Sequence, residues 1–111
     1  MDNLELICFQ MISNAGMAKS TFVEAMQEAE AGNFDAAQAK IEEGKNFLVT
    51  GHGVHAGLIQ KEAAGEKTDL TLLLMHAEDQ LLSCETLEIM AERFLAQAKR
   101  LAALEAAASQ Q

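Results

Sequence analysis

The sequence predicts an all-α protein, a single domain of three long helices folded as an antiparallel bundle. Three observations carry this expectation. The chain contains no Pro, Trp or Tyr, and it is dominated by Ala, Leu, Glu, Gln, Met and Lys, the residues that lose least on entering a helix. Apolar residues recur at alternating steps of three and four in three separate segments, the spacing of one helix face. Only two short Gly-marked interruptions, near residues 32 and 65, separate those segments. At 111 residues the chain has the length of one domain. The connections are too short to divide the chain into separate domains, and no internal repeat is present. The domain is expected over residues 1–104, with a tail at 105–111 that lacks the pattern and should fray.

In the first helix, expected over residues 3–31, Leu4, Cys8, Met11, Ala15, Ala18, Phe22, Ala25 and Ala29 form the buried seam. Asp2, with Glu5 three residues on, reads as a capping box, and Gly32-Asn33 supplies a stop followed by a fresh N-cap. Gly16 falls inside this helix at a cost of about 1 kcal/mol relative to Ala, which predicts close approach of another backbone there. The second helix begins at Phe34 and runs through Ala37, Ile41, Gly44, Leu48, Gly51, His55 and Leu58 to a stop at Gly65. Three glycines at 51, 53 and 57 weaken it by about 2 to 3 kcal/mol of propensity. Because Leu58, Ile59 and Ala63 resume the phase with no turn signal between, a continuous helix is expected. The third is capped by Thr68 or Asp69 and reaches about Leu104. Its seam is Leu70, Leu74, Ala77, Leu81, Cys84, Ala91, Phe94 or Leu95, Ala98 and Leu101. Beside that seam runs a second stripe of Leu72, Met75, Asp79, Leu82, Thr86, Ile89 or Met90, and Arg93. A three-helix bundle buries one stripe per helix, so the second apolar face predicts oligomerisation.

A formal charge of −9 argues against nucleic acid or an anionic membrane as partner, since binding phosphate needs clustered Lys and Arg. Basic protein surfaces fit better. No apolar run approaches the roughly 20 residues of a membrane span, and the N-terminus has no basic segment followed by an apolar one, so a cytoplasmic location is expected. The two cysteines, Cys8 and Cys84, are expected as reduced, buried packers.

The stretch with chemical content is Met75-His76-Ala77-Glu78-Asp79-Gln80-Leu81-Leu82, an imidazole and two carboxylates near the start of an otherwise apolar helix. Burying such groups unpaired is costly, so they either meet partners or line a wet cleft. Helical geometry puts Asp79 in the middle of the second stripe and His76 about 60° round the helix from it. A neutral imidazole is a good nucleophile toward phosphorus, and its phosphoramidate stays energetic enough to pass the group on, which suits a relay.

That motif, together with Ile12-Ser13-Asn14-Ala15-Gly16, Ala29-Glu30-Ala31-Gly32-Asn33-Phe34-Asp35-Ala36-Ala37 and Leu58-Ile59-Gln60-Lys61-Glu62-Ala63, resembles the enzyme IIA component of the lactose/cellobiose (chitobiose) family of the phosphoenolpyruvate-dependent sugar phosphotransferase system. The resemblance implies an antiparallel three-helix subunit assembled as a homotrimer. It further implies that His76 accepts a phosphoryl group from HPr and donates it to a cysteine of enzyme IIB, which serves the membrane component IIC. Asp79 matches the aspartate at which three copies hold one divalent cation per trimer, Mg²⁺ in most members. Three like charges repel, and a hard cation with oxygen ligands relieves that repulsion.

The sequence departs from the family pattern at Gln80, where members usually carry a second histidine, at Glu78, where many carry Gln, and at His55-Ala56, where members commonly read Gln-Thr. Glu78, Gln80 and His55 are expected as supporting residues, His55 as a donor to the phosphoryl group when protonated. Two rival readings use the same residues. One is a metal-binding bundle in which His52 and His55, on one face at i, i+3, join His76 and Glu78 or Asp79 across helices. The other is a non-catalytic helical scaffold.

Overall fold

The computed structural model describes residues 3–110 and consists of α1 (Asn3–Glu30), α2 (Phe34–Ala63) and α3 (Leu72–Ser109). The capping role expected of Asp2 lies outside the described residues. The helices form an antiparallel bundle of 67 × 24 × 20 Å. α1 packs extensively on both others, whereas the seam between α2 and α3 is the thinnest of the three. No helix among the described residues is long and apolar enough to cross a membrane.

The seams read from spacing are the core. Cys8, Met11, Ala15, Ala18, Phe22, Ala25 and Ala29 of α1 are buried, with Leu4 half-buried at the end. Ala37, Ile41, Leu48 and Leu58 of α2 meet them, as do Leu74, Ala77, Leu81, Cys84, Ala91 and Leu95 of α3. Two expected members stay outside. Leu70 precedes the helix and is exposed, and Leu101 is exposed along an open groove that Ala29 and Phe34 also line, near the α1–α2 turn.

The turns are set by glycine. Gly32 (φ 83°) and Gly65 (φ 92°) occupy the left-handed region, where a Cβ would be strained. Around each, two backbone bonds close the preceding helix: Gly32 N–H to Ala29 O and Asn33 N–H to Glu28 O, then Gly65 N–H to Glu62 O and Glu66 N–H to Lys61 O. This is the Schellman pattern. Asn33 precedes α2, but its side chain makes no cap bond and instead donates to the Glu28 carboxylate, correcting the N-cap expectation.

The cap of α3 is Thr71, three and two residues beyond the expected Thr68 and Asp69. Its backbone is extended (φ −102°, ψ 162°), and its hydroxyl accepts a 3.1 Å bond from Leu74 N–H. Thr71→Ala should therefore cost about 1 kcal/mol, read as a lower midpoint in urea unfolding. At the other end α3 continues to Ser109, five residues past the expected stop at Leu104. The run Glu105-Ala106-Ala107-Ala108 has the highest intrinsic propensity available and needs no partner to stay helical as an extension of a formed helix.

α2 is continuous through residues 51–57. The glycines that allow close approach are Gly44 and Gly51: a Cβ on Gly44 would lie 2.6 Å from Phe22 Cε1, and one on Gly51 would lie 2.9 Å from Leu81 Cδ1. Gly16 corrects the expectation made for it, because it is exposed and, beyond the adjoining turns of its own helix, nothing among the described residues comes within 4 Å of a Cβ there.

Both thiols are buried. Cys84 Sγ donates to Ala15 O at 3.0 Å, and burial pushes its thiol up from the ordinary value, with the charge and backbone N–H of Lys19 pulling weakly the other way. A disulfide-exchange reagent at pH 8 should leave Cys84 unmodified in the native chain and react with it promptly in denaturant.

Candidate functional site

The site is built on the first three turns of α3. Thr71 starts the helix, and Leu74, Ala77 and Leu81 turn into the core, which fixes what the remaining positions face. Leu72, Met75, Asp79, Leu82, Thr86, Ile89 and Arg93 are all exposed, so the second stripe read from the sequence lies open along the outer side of α3.

His76 is exposed beside this stripe, about 60° from Asp79. Gln80, one turn further on, shares its face and is half-buried. Glu78 does not. Two residues on from His76, it points about 160° away, toward α2. There its Oε1 lies 2.6 Å from His55 Nε2, with both side chains mostly covered. Within one chain, His55 and Glu78 therefore satisfy each other instead of flanking the His76 ring. One turn earlier on α2, His52 contacts Glu85 of α3. Two further turns along the same seam, Lys45 Nζ lies 2.7 Å from Glu92 Oε1, which raises the lysine pKa.

Two of the three imidazoles are thus engaged by carboxylates, and His76 faces outward. The set proposed for a metal-binding bundle is not assembled, because His52 and His55 turn to α3 carboxylates on the opposite flank from His76. Among the described residues, no group of three or more His, Cys, Asp or Glu is placed to hold an ion within one chain. Asp79 offers a single carboxylate per chain. It borders a groove of about 470 Å³ between the end of α2 and the start of α3, lined by Leu58, Ile59, Leu74, Met75 and Leu82 among others.

Sequence reasoning missed Glu85 and Glu92 as partners of α2. The signal was present: Glu78, Glu85 and Glu92 repeat at seven residues, one flank of a heptad seam.

Comparison with known proteins places this geometry. The family described as "PTS system, Lactose/Cellobiose specific IIA subunit" matches residues 6–99. The chain belongs to this family. Its IIA relatives include the lichenan-specific phosphotransferase enzyme IIA component of Bacillus subtilis, 36% identical over 94 residues that make up 85% of this chain and 86% of that one. The lactose-specific EIIA component of Staphylococcus aureus is 34% identical over 99 residues, 89% of this chain and 96% of that one. Among solved structures, the cellobiose-specific enzyme IIA from Bacillus anthracis superposes with a TM-score of 0.90 at 38% identity, covering 93% of this chain and 94% of its own. A IIA(chitobiose) chain solved in complex with HPr gives 0.81 at 26% identity, covering 91% and 98%. The three-helix IIA fold and a phosphotransfer role in general terms are thereby established for the chain, and the resemblance read from the motifs is borne out.

Proposed function

We propose that this IIA subunit is a phosphocarrier that accepts a phosphoryl group from phospho-HPr on His76 and passes it to a cysteine of enzyme IIB during uptake of a lactose-, cellobiose- or chitobiose-type sugar. The observation that carries this is the contrast among the three imidazoles: His52 and His55 are held by carboxylates, while the ring of His76 is open to a docking protein.

The chemistry needs little more than that. A neutral ring nitrogen of His76 attacks phosphorus in line, a new N–P bond forms, and the N–P bond to the donor histidine breaks as that ring leaves. In the second step a thiolate of IIB attacks, the S–P bond forms, and the His76 N–P bond breaks. The protein contributes alignment and hydrogen-bond donors for phosphoryl oxygens, of which Gln80, on the same face one turn away, is the candidate in this chain. The HPr complex of a IIA(chitobiose) chain supports HPr as the donor.

The exposed stripe of α3 also supports assembly as a homotrimer, in which Asp79 of three copies would hold one divalent cation, Mg²⁺ by preference. An exposed carboxylate between Met75 and Leu82 fits that role: alone it gains nothing from an apolar surround, and three together require a cation. Such an ion supplies charge neutralisation at the contact. A cytoplasmic location goes with this reading.

The test is incubation of the chain with phosphoenolpyruvate, enzyme I and HPr. A mass gain of one phosphate per chain, labile in acid and persistent in alkali, is expected; an unchanged mass, or an acid-stable ester, overturns the proposal.

A further inference from the structure

α3 is apolar on two flanks. Met75 and Leu82 each follow one residue after a position of the buried seam, so rolling the helix by about 100° would exchange Leu74 and Leu81 for Met75 and Leu82 against α1. Burial of hydrocarbon distinguishes the two rolls weakly, since the exchanged side chains are similar in size and polarity. The alternative roll would carry His76 to the present place of Met75 and turn Asp79 toward α2, in the place of Glu78, so only the observed roll keeps Asp79 on the open stripe with His76 at its border.

What separates the two arrangements is the flank facing α2. Glu78, Glu85 and Glu92 lie on it at seven-residue intervals and meet His55, His52 and Lys45 respectively. Rolled by 100° toward the core, the same three carboxylates would enter buried seam positions and lose every partner, which is far more costly than any apolar mismatch. Two of the partners on α2 also sit where that helix is weakest, since His52 and His55 are interspersed with Gly51, Gly53 and Gly57.

We propose that these three pairs form a polar ladder that fixes the roll of α3, making His52 and His55 positioning residues for a face they do not touch. The ladder rests on the reading of His76 as the phosphoryl acceptor for its functional consequence, and on geometry alone for its existence. It uses the histidine and glutamate at 55 and 78 as one unit, which explains their joint presence in this chain.

The test uses Glu85, nine residues and ~13 Å along α3 from His76. In Glu85→Lys the carboxylate that His52 contacts is replaced by a cation, and that pair is lost. Amide exchange over residues 72–82 should accelerate at least about fivefold, and phosphoryl uptake from phospho-HPr should slow by about fivefold or more. A direct electrostatic effect has the opposite sign, because an added cation attracts the incoming phosphate. The swap Glu85→Lys/His52→Glu rebuilds a pair across the seam and should return both readouts to within about twofold of the unmodified chain. Unchanged exchange in the single variant, or a swap that fails to recover, overturns the ladder. Absence of phosphate uptake by the unmodified chain would overturn the carrier reading instead, with amide exchange still deciding the ladder.

Discussion

A His76→Ala chain is expected to take up no phosphate from phospho-HPr, a loss of more than about 10³-fold in rate, while unfolding at nearly the same temperature as the unmodified chain. The size of the effect follows from chemistry: without the ring nitrogen there is no nucleophile, and the neighbouring groups can neither replace it nor form a phosphoramidate. The small effect on stability follows from position. His76 is exposed and contributes nothing to the core, and exposed substitutions away from caps and ion pairs stay within about 0.5 kcal/mol. Measuring transfer by mass and stability by thermal unfolding on the same preparation separates loss of the acceptor from loss of the fold. His52→Ala and His55→Ala should behave in the reverse sense, keeping uptake of one phosphate per chain while losing some of the α2–α3 seam.

The largest effect on stability is expected at Phe22. Its ring is fully buried and fills the space left by the missing side chain of Gly44, to which a Cβ would approach within 2.6 Å of the ring. Phe22→Ala should cost about 3–5 kcal/mol, because the cavity lies between two helices that cannot collapse without disturbing their contacts elsewhere. For a domain of this size that lowers the thermal midpoint by more than about 10 °C. Gly44→Ala tests the same contact from the other side. In the intact chain the added methyl must displace the ring, at about 1–3 kcal/mol, against a gain of about 1 kcal/mol in helix propensity. In the Phe22→Ala background the clash is gone and only the gain remains. The substitution should therefore destabilise one background and stabilise the other, and equal effects in both would refute the contact.

Much of this architecture is legible in the sequence, and the reason is periodicity. Cys8 through Ala29, Ala37 through Leu58 and Leu74 through Leu95 each repeat at helical spacing, and spacing along one chain fixes which residues share a face. Gly32 and Gly65 are legible because no other residue takes a positive φ as cheaply. The open second stripe is visible for the same reason, as an apolar pattern in excess of what one bundle can bury. The motif around His76 identifies the family, and the matching family model and relatives agree with it.

What escapes a reading of the sequence depends on registry between helices, which periodicity within one helix does not contain. Spacing allows His55 beside the phosphoryl group; whether it meets Glu78 instead depends on how far α2 is shifted along α3. Gly16 and Gly44 look alike in sequence, yet only Gly44 faces a neighbour. The cap at Thr71 is hard to pick out because Thr68, Asp69 and Thr71 are all competent caps, and the choice among them is made by where the chain leaves Gly65. The extension of α3 to Ser109 carries no packing pattern, although an Ala-rich run propagates readily from a helix already formed.

The central claim is that one particular imidazole receives the phosphate. Proton–nitrogen correlation spectra of the three histidine rings, recorded before and after incubation with phospho-HPr, test it most directly. The ring nitrogens of His76 alone should move to phosphoramidate positions, with His52 and His55 staying close to their starting shifts. A phosphorylated ring at His52 or His55, or three rings unchanged in a chain that has gained a phosphate, would contradict it.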